Sequence, residues 1–312
     1  MKLIGLMGLG LALLAQNALA KPVDVKFDKI TDNVYAYIGE MGDRSVDNFG
    51  LNSNHGLVVT DKGAVLIDSG ASYTAAKQLE AAAAKITQQP IVTVINTGSQ
   101  DHRWLGNGYF AGKGTEIIAL QRTVATQAKQ GAGQIVGLKN TLGEQMVNTQ
   151  PVSAKQANES DYKKMRIGGT DIEMRYFADA HFAGDAVVYL PKSNVLFSGD
   201  HVYVDRILGV LPGHSNPKTW RTAVHEMMKT YPTATVVPGH GHVCDMKKVK
   251  AETADYLDYL NDVVGKAATN MEEIDVVSAK ARDLPAFKHL KVYDVLHPKN
   301  VNSTFLFYEQ GN

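Results

Sequence analysis

Residues 91–107 read IVTVINTGSQDHRWLGN, and the whole fold can be read outward from them. Ile91 to Ile95 is an apolar run bounded by Pro90 and Asn96, the pattern of a buried strand. The loop that follows carries Asp101, His102 and Arg103 close to glycines. Loops at strand ends are where a rigid scaffold usually displays reactive side chains.

Upstream, Val34–Ile38 reads as a strand. His55–Thr60 and Ala64–Ile67 read as a hairpin turned by Asp61-Lys62-Gly63. Ala71–Ile86 has Leu79, Ala82, Ala83 and Ile86 at helical spacing. Downstream, Glu116–Leu120 is a further strand, and Gln121 to about Gln150 reads as a polar helix broken at Gly131 and Gly133. Asp171–Phe177, Ala186–Leu190 and Val195–Ser198 are strands, with Pro191-Lys192-Ser193-Asn194 turning the last pair. Pro217 opens a helix with Trp220, Val224 and Met227 on one face. Thr235–Val237 is a short strand, Met246–Ala268 a long amphipathic helix and Val301–Glu309 a weaker one. Hairpins followed by helices, twice over, predict an α/β (α+β) fold of two packed sheets with helices outside.

Composition narrows the function. Lys+Arg and Asp+Glu are both 32, so neither a basic nucleic-acid footprint nor an acidic tail is present. The lone cysteine, Cys244, excludes an intramolecular disulfide and a Cys-rich zinc module, and reads as a small packing residue. Met1-Lys2, the apolar run Leu3–Leu14 and Ala18-Leu19-Ala20 form a secretory signal pattern. That run is shorter than the about 20 residues needed to span a bilayer. The expectation is a leader over 1–20, one domain over 21–312 with a helical C-terminal region, no membrane span in the mature protein, and a periplasmic or secreted location.

Besides 96–107, three segments carry His or Asp at a turn beside Gly: DAHFAGD (179–185), LFSGDHV (196–202) and VVPGHGH (236–242). Imidazole and carboxylate together suit a divalent metal such as zinc. Their order resembles the metallo-β-lactamase superfamily of metallohydrolases. AVLIDSG (64–70) looks like that family's VLIDTG strand, with Asp68 as the structural Asp behind the site. VINT (94–97) leads into the place of the HxHxDH motif. His181 with Gly184-Asp185, LFSGD ending at Asp200, and PGHG with His240 resemble the later ligand segments. The resemblance covers about residues 50–242 and implies an αββα sandwich of two mixed sheets and a small-molecule substrate.

The family reads NTHxHxDHxxGN, whereas this chain reads NTGSQDHRWLGN. Aligned without a gap, Gly98 and Gln100 stand where two histidines belong, His102 takes the Asp position and Arg103 the last His. A shifted register would match Asp101-His102 to the Asp-His pair, at the cost of a deletion and an insertion. The ungapped reading leaves His102, His181, Asp200 and His240 as metal ligands, enough for one zinc. Two metals, or iron or manganese, stay open. His55, just before the AVLIDSG hairpin strand, either replaces a missing imidazole or faces solvent.

By the same resemblance, zinc lowers the pKa of a bound water towards about 7, and the resulting hydroxide attacks a small ester, thioester, lactam or phosphoester. Asp200 then anchors the metal and hydrogen-bonds the water. Arg103 either holds a substrate anion or ion-pairs with Asp68 or another buried carboxylate. Asp101 or Asp185 orients the water in place of the missing motif Asp, unless Asp101 only caps a helix. His201, His214, His225, His242, His289 and His297 read mainly as structural or solvated. The alternative is a catalytically degenerate periplasmic protein that holds a metal or ligand on the same fold.

Overall fold

The computed structural model describes residues 23–155, 159 and 161–311, so the expected leader lies outside the described residues. The first sheet runs in chain order: β1 (Asp28–Thr31), β2 (Val34–Tyr37), β3 (His55–Thr60), β4 (Gly63–Ile67), β5 (Ile91–Ile95) and β6 (Glu116–Ile118). Its first four strands are antiparallel, and β4, β5 and β6 are parallel. The second sheet contains β7 (Tyr162–Ile167), β8 (Thr170–Arg175), β9 (Val187–Leu190), β10 (Val195–Phe197) and β11 (Thr235–Val237), in the order β11-β10-β9-β8-β7. Only β10 and β11 pair in parallel there.

Side chains alternate between the faces of a strand, and this alternation builds the layers. Val65 and Ile67 of β4 face the second sheet, where Ile172, Met174, Val188, Val195 and Phe197 meet them. Ala64 and Leu66 point the other way, onto α1 (Tyr73–Ala83) through Ala75, Ala76 and Leu79. On the far side of the second sheet, Val187, Leu196 and Val236 pack on Trp220, Val224 and Met227. The same cluster takes in Leu257, Leu260 and Val264 of the 246–269 helix, and Val301 and Phe305 near the C-terminus. This is the expected sandwich of two mixed sheets between helices.

Three expectations change. The polar helix runs unbroken from Gln121 to Leu142 as α4, passing after α2 (Asp101–Trp104) and α3 (Asn107–Ala111) in chain order. Gly131 does not break it because its bare Cα is a contact. A Cβ there would come within 2.6 Å of the Trp104 ring. The C-terminal helix begins earlier, at Tyr293, and carries Pro298 inside. The strand β7, sequence YKKMRI, was not anticipated, because its charged outward residues hide its apolar alternates Met165 and Ile167. Helix α5 (Pro217–Thr230) starts where expected, with Asn216 capping it through Thr219 N. Among the described residues no helix is long and apolar enough to cross a membrane.

Four strands end at one edge of the sandwich, and their loops converge there. Asp68 follows β4, residues 96–107 follow β5, Asp200 follows β10 and His240 follows β11.

Candidate metal centre

Arg103 is the centre of this convergence, and it is 1% exposed. Its five N–H groups are all donated. Nε and Nη2 form a fork onto Asp200 Oδ2 (3.1 Å) and Oδ1 (2.5 Å). Nη1 reaches Asp68 Oδ2 (3.1 Å) and the Asn54 carbonyl (2.9 Å). Nη2 also donates to the Gly239 carbonyl at 3.2 Å. A guanidinium has no sixth donor to offer a substrate. Of the two roles open to Arg103, the structure selects the buried ion pair, and the substrate-holding role is corrected.

Asp68 sits at φ +65°, a left-handed conformation that Asp tolerates better than most residues. From there its carboxylate accepts from Thr97 N and Thr97 Oγ1, both at 2.7 Å. It thereby fixes the start of the 96–107 loop, the structural role expected of it. Asn96 and Asn107 brace the loop's ends through paired amide bonds of 3.1 and 2.8 Å. Both asparagines thus anchor the loop.

Three donors gather in front of Arg103. Ligand atoms of His102, Asp200 and His240 all lie within 4.8 Å of one another, and all three residues are buried. His102 Nε2 is 3.0 Å from Asp200 Oδ2, and His240 Nε2 is 3.4 Å from Asp200 Oδ1. Burial alone would raise the Asp200 carboxyl, but the Arg103 guanidinium, with His102, holds it well below the usual carboxylate range. Burial drives His240 well below the usual imidazole range, so its ring is neutral. Its single proton lies on Nδ1, which donates to the Asn52 carbonyl at 2.9 Å. Nε2 therefore presents a bare lone pair to a carboxylate oxygen. Two acceptors facing each other in a buried site call for a cation between them. Two imidazoles and one carboxylate fit one divalent ion such as zinc or iron(II).

The other expected ligands stand apart from this cluster. His181 is 3% exposed, and its Nε2 lies 2.9 Å from Gln100 Oε1. Gly98 brings no ligand, and a Cβ there would sit 2.6 Å from Asp185 Oδ1, so Asp185 fills the space a side chain would need. Of the four expected ligands the cluster gathers His102, Asp200 and His240, while His181 Nε2 lies against Gln100, the residue that replaces a motif histidine. His55 is not a solvated loop residue, and it lies outside the cluster of His102, Asp200 and His240. It is buried at the start of β3, with Nδ1 donating to the Asp68 carbonyl (3.1 Å) and Nε2 beside Ser53 Oγ (3.3 Å).

Asp101 opens α2, with its carboxylate on the Nδ1 side of His102, whose Nε2 meets Asp200. The Asp101 carboxylate accepts from His102 N at 2.6 Å and pairs with Arg44 Nη2 at 2.6 Å. Asp185 is buried with Oδ1 unpartnered, and burial together with the Asp200 charge raises its carboxyl well above the usual range. The Asp101 carboxylate is thus engaged by Arg44 and His102 N, and the Asp185 carboxyl is biased towards its protonated form.

Two arginines gave no sequence signal, since no motif surrounds them. Arg44, in the loop between β2 and β3, places Nη2 2.7 Å from His102 Nδ1. Arg206 is 9% exposed, has no carboxylate within 4 Å among the described residues, and its Nε is unpartnered. Its Nη1 donates weakly to the Gly42 carbonyl (3.3 Å) and lies 3.4 Å from His240 Nδ1.

Burial also sets the acid sensitivity of the fold. It lowers His55 to about 3, His181 to about 4 and His201 to about 4. The unfolded chain takes up these protons near pH 6.5, whereas the folded chain refuses them until pH falls to 3–4. The stability they confer is full above pH 6.5 and drains at about 1.4 kcal/mol per pH unit per ring below it. Urea midpoints of metal-free protein should fall steadily from pH 7 to pH 4.5; a flat profile would contradict the burial of these rings.

Comparison with known proteins agrees with this geometry. A family model described as the metallo-beta-lactamase superfamily matches residues 49–240. The metallo-beta-lactamase type 2 of Elizabethkingia meningoseptica is 26% identical over 236 residues, spanning 74% of this chain and 85% of that protein. The metallo-beta-lactamase IND-1 of Chryseobacterium indologenes is 27% identical over 220 residues, spanning 68% and 81%. A solved metallo-beta-lactamase from Pontibacter korlensis shares the fold, with TM-score 0.60 at 21% identity over 75% of this chain and 99% of that one. From strand-end loops to sheet order, the chain belongs to the metallo-β-lactamase superfamily.

Proposed function

We propose that the protein is an exported hydrolase with a single divalent metal, acting on a small molecule that carries an anionic group. The observation that carries this reading is the bare Nε2 of His240 facing Asp200, with His102 alongside. These three residues would hold the metal. When bound, it supplies Lewis acidity towards water and towards a carbonyl or phosphoryl oxygen. Arg103 keeps Asp200 ionised and fixed in orientation, and Tyr203 stacks on the His240 ring at 4.6 Å, limiting its rotation.

Arg206 supports the anionic substrate. A buried guanidinium without a carboxylate partner is costly to hold, and an incoming carboxylate or phosphate would complete it. Export rests on the leader pattern of residues 1–20. The test is turnover of esters, thioesters, phosphoesters and lactams before and after chelation, followed by zinc restoration. β-Lactams belong in that set because the relatives bear that name. Arg206→Ala should raise KM about 10- to 100-fold with kcat little changed, the loss of one charge-assisted contact. An unchanged KM would remove Arg206 from recognition.

One observation favours the second reading, a metal- or ligand-binding protein without turnover. The cluster is closed off, with His102 1%, Asp200 2% and His240 3% exposed. Metal uptake without chelator-sensitive turnover of any ester class would select that reading.

A further inference from the structure

We propose that Arg44 is a positioning residue that governs metal occupancy, acting as a resident cation that competes with the divalent ion for His102. The inference rests on the single-metal reading given above. A guanidinium can only donate hydrogen bonds. The 2.7 Å contact from Arg44 Nη2 therefore makes His102 Nδ1 an acceptor. With Nδ1 accepting, a proton on the ring is on Nε2, from which it is donated to Asp200 Oδ2 at 3.0 Å. In this arrangement the nitrogen that faces Asp200 has no lone pair for a metal.

The structure also holds the alternative arrangement ready. Asp101 Oδ1 lies 3.4 Å from the same Nδ1. If Arg44 leaves, Nδ1 can carry the proton and donate it to Asp101, while Nε2 gives up its own and becomes a ligand. The number of protons on the ring is unchanged; only their place differs. A carboxylate behind a ligating histidine also strengthens the ligand.

Arg44 is able to leave. Its side chain is 19% exposed, and among the described residues its Nε has no partner and its hydrogen bonds go to Asp101 and His102. The loop that carries it is braced independently: Asn48 bonds Ser45 N, Gly50 N, Glu40 and the Asp43 carbonyl. Arg206 and Asn52 hold the Gly42 carbonyl. The side chain can thus swing without unfolding the loop. With it docked, one positive charge sits where a second would be repelled.

The experiment is zinc affinity of the purified full chain, measured by competition with a chromophoric chelator. Arg44→Met, which keeps the apolar stem, should bind zinc about 10- to 100-fold more tightly than wild type, the range that outer partners of a metal ligand command. Arg44→Gln should shift in the same direction, so a folding defect in one variant does not decide the result. Asp101→Asn should bind more weakly, because it loses the acceptor for Nδ1–H. A merely structural role for Arg44 would loosen binding in all three. Equal or weaker binding by both Arg44 variants, with wild type binding zinc, would overturn the competition alone. Absence of binding in every protein would overturn the single-metal reading and this inference with it.

Discussion

Arg103→Met should destabilise the fold by about 3–5 kcal/mol, the usual consequence of removing one partner from a buried ion pair. The value follows from what the guanidinium holds. Among the described residues it is the only arginine or lysine hydrogen-bonded to Asp200 and Asp68, which are 2% and 1% exposed, and it also satisfies the carbonyls of Asn54 and Gly239. Methionine fills much of the volume but leaves two carboxylates facing each other without compensation. Both would then shift towards the protonated form. Arg103→Lys should recover only part of the loss, because a point charge cannot reproduce a two-pronged contact to Asp200 together with bonds to three other groups. Urea denaturation of metal-free protein at pH 7.5 checks this. A wild-type midpoint for Arg103→Met would mean that the network is incidental to the fold.

Asp200→Asn should lower metal affinity more than a hundredfold, beyond the about 10- to 100-fold that outer partners command, and abolish turnover with it. The amide keeps the shape but removes the charge that a cation between His240 and Asp200 needs. It also leaves Arg103 with Asp68 as its remaining carboxylate. The two substitutions separate by readout. Arg103→Met strikes stability first, whereas Asp200→Asn strikes metal binding even where the variant still folds. Retained metal and turnover in Asp200→Asn would place the ion elsewhere.

The layers of the fold were legible because burial writes itself into alternation. Val65 and Ile67 against Ala64 and Leu66 already carry the two faces of β4. Strand β7 escaped notice because an edge strand with Lys163, Lys164 and Arg166 shows too little apolar alternation. The predicted break at Gly131 failed because a residue chosen for contact with Trp104 looks, in sequence, like one chosen to end a helix.

The site was legible where a candidate ligand follows from a strand end, as at Asp200 and His240. His102 is a candidate in either register of the loop, so it too was legible. What could not be read was pairing between loops. That Gln100 meets His181, that Asp185 fills the space beside Gly98, and that Arg103 spends every donor inside the protein are facts of three-dimensional proximity. Arg44 and Arg206 reach the cluster from segments without a motif, and only their distances to His102 and His240 mark them.

The measurement that bears most directly on the account is metal content per chain, by mass spectrometry, for wild-type protein, Asp200→Asn and His240→Ala after equilibration with zinc and removal of excess. The account predicts close to one zinc per wild-type chain and close to none in either variant. Two zinc ions per wild-type chain, or one retained in both variants, would contradict a single centre built on His102, Asp200 and His240.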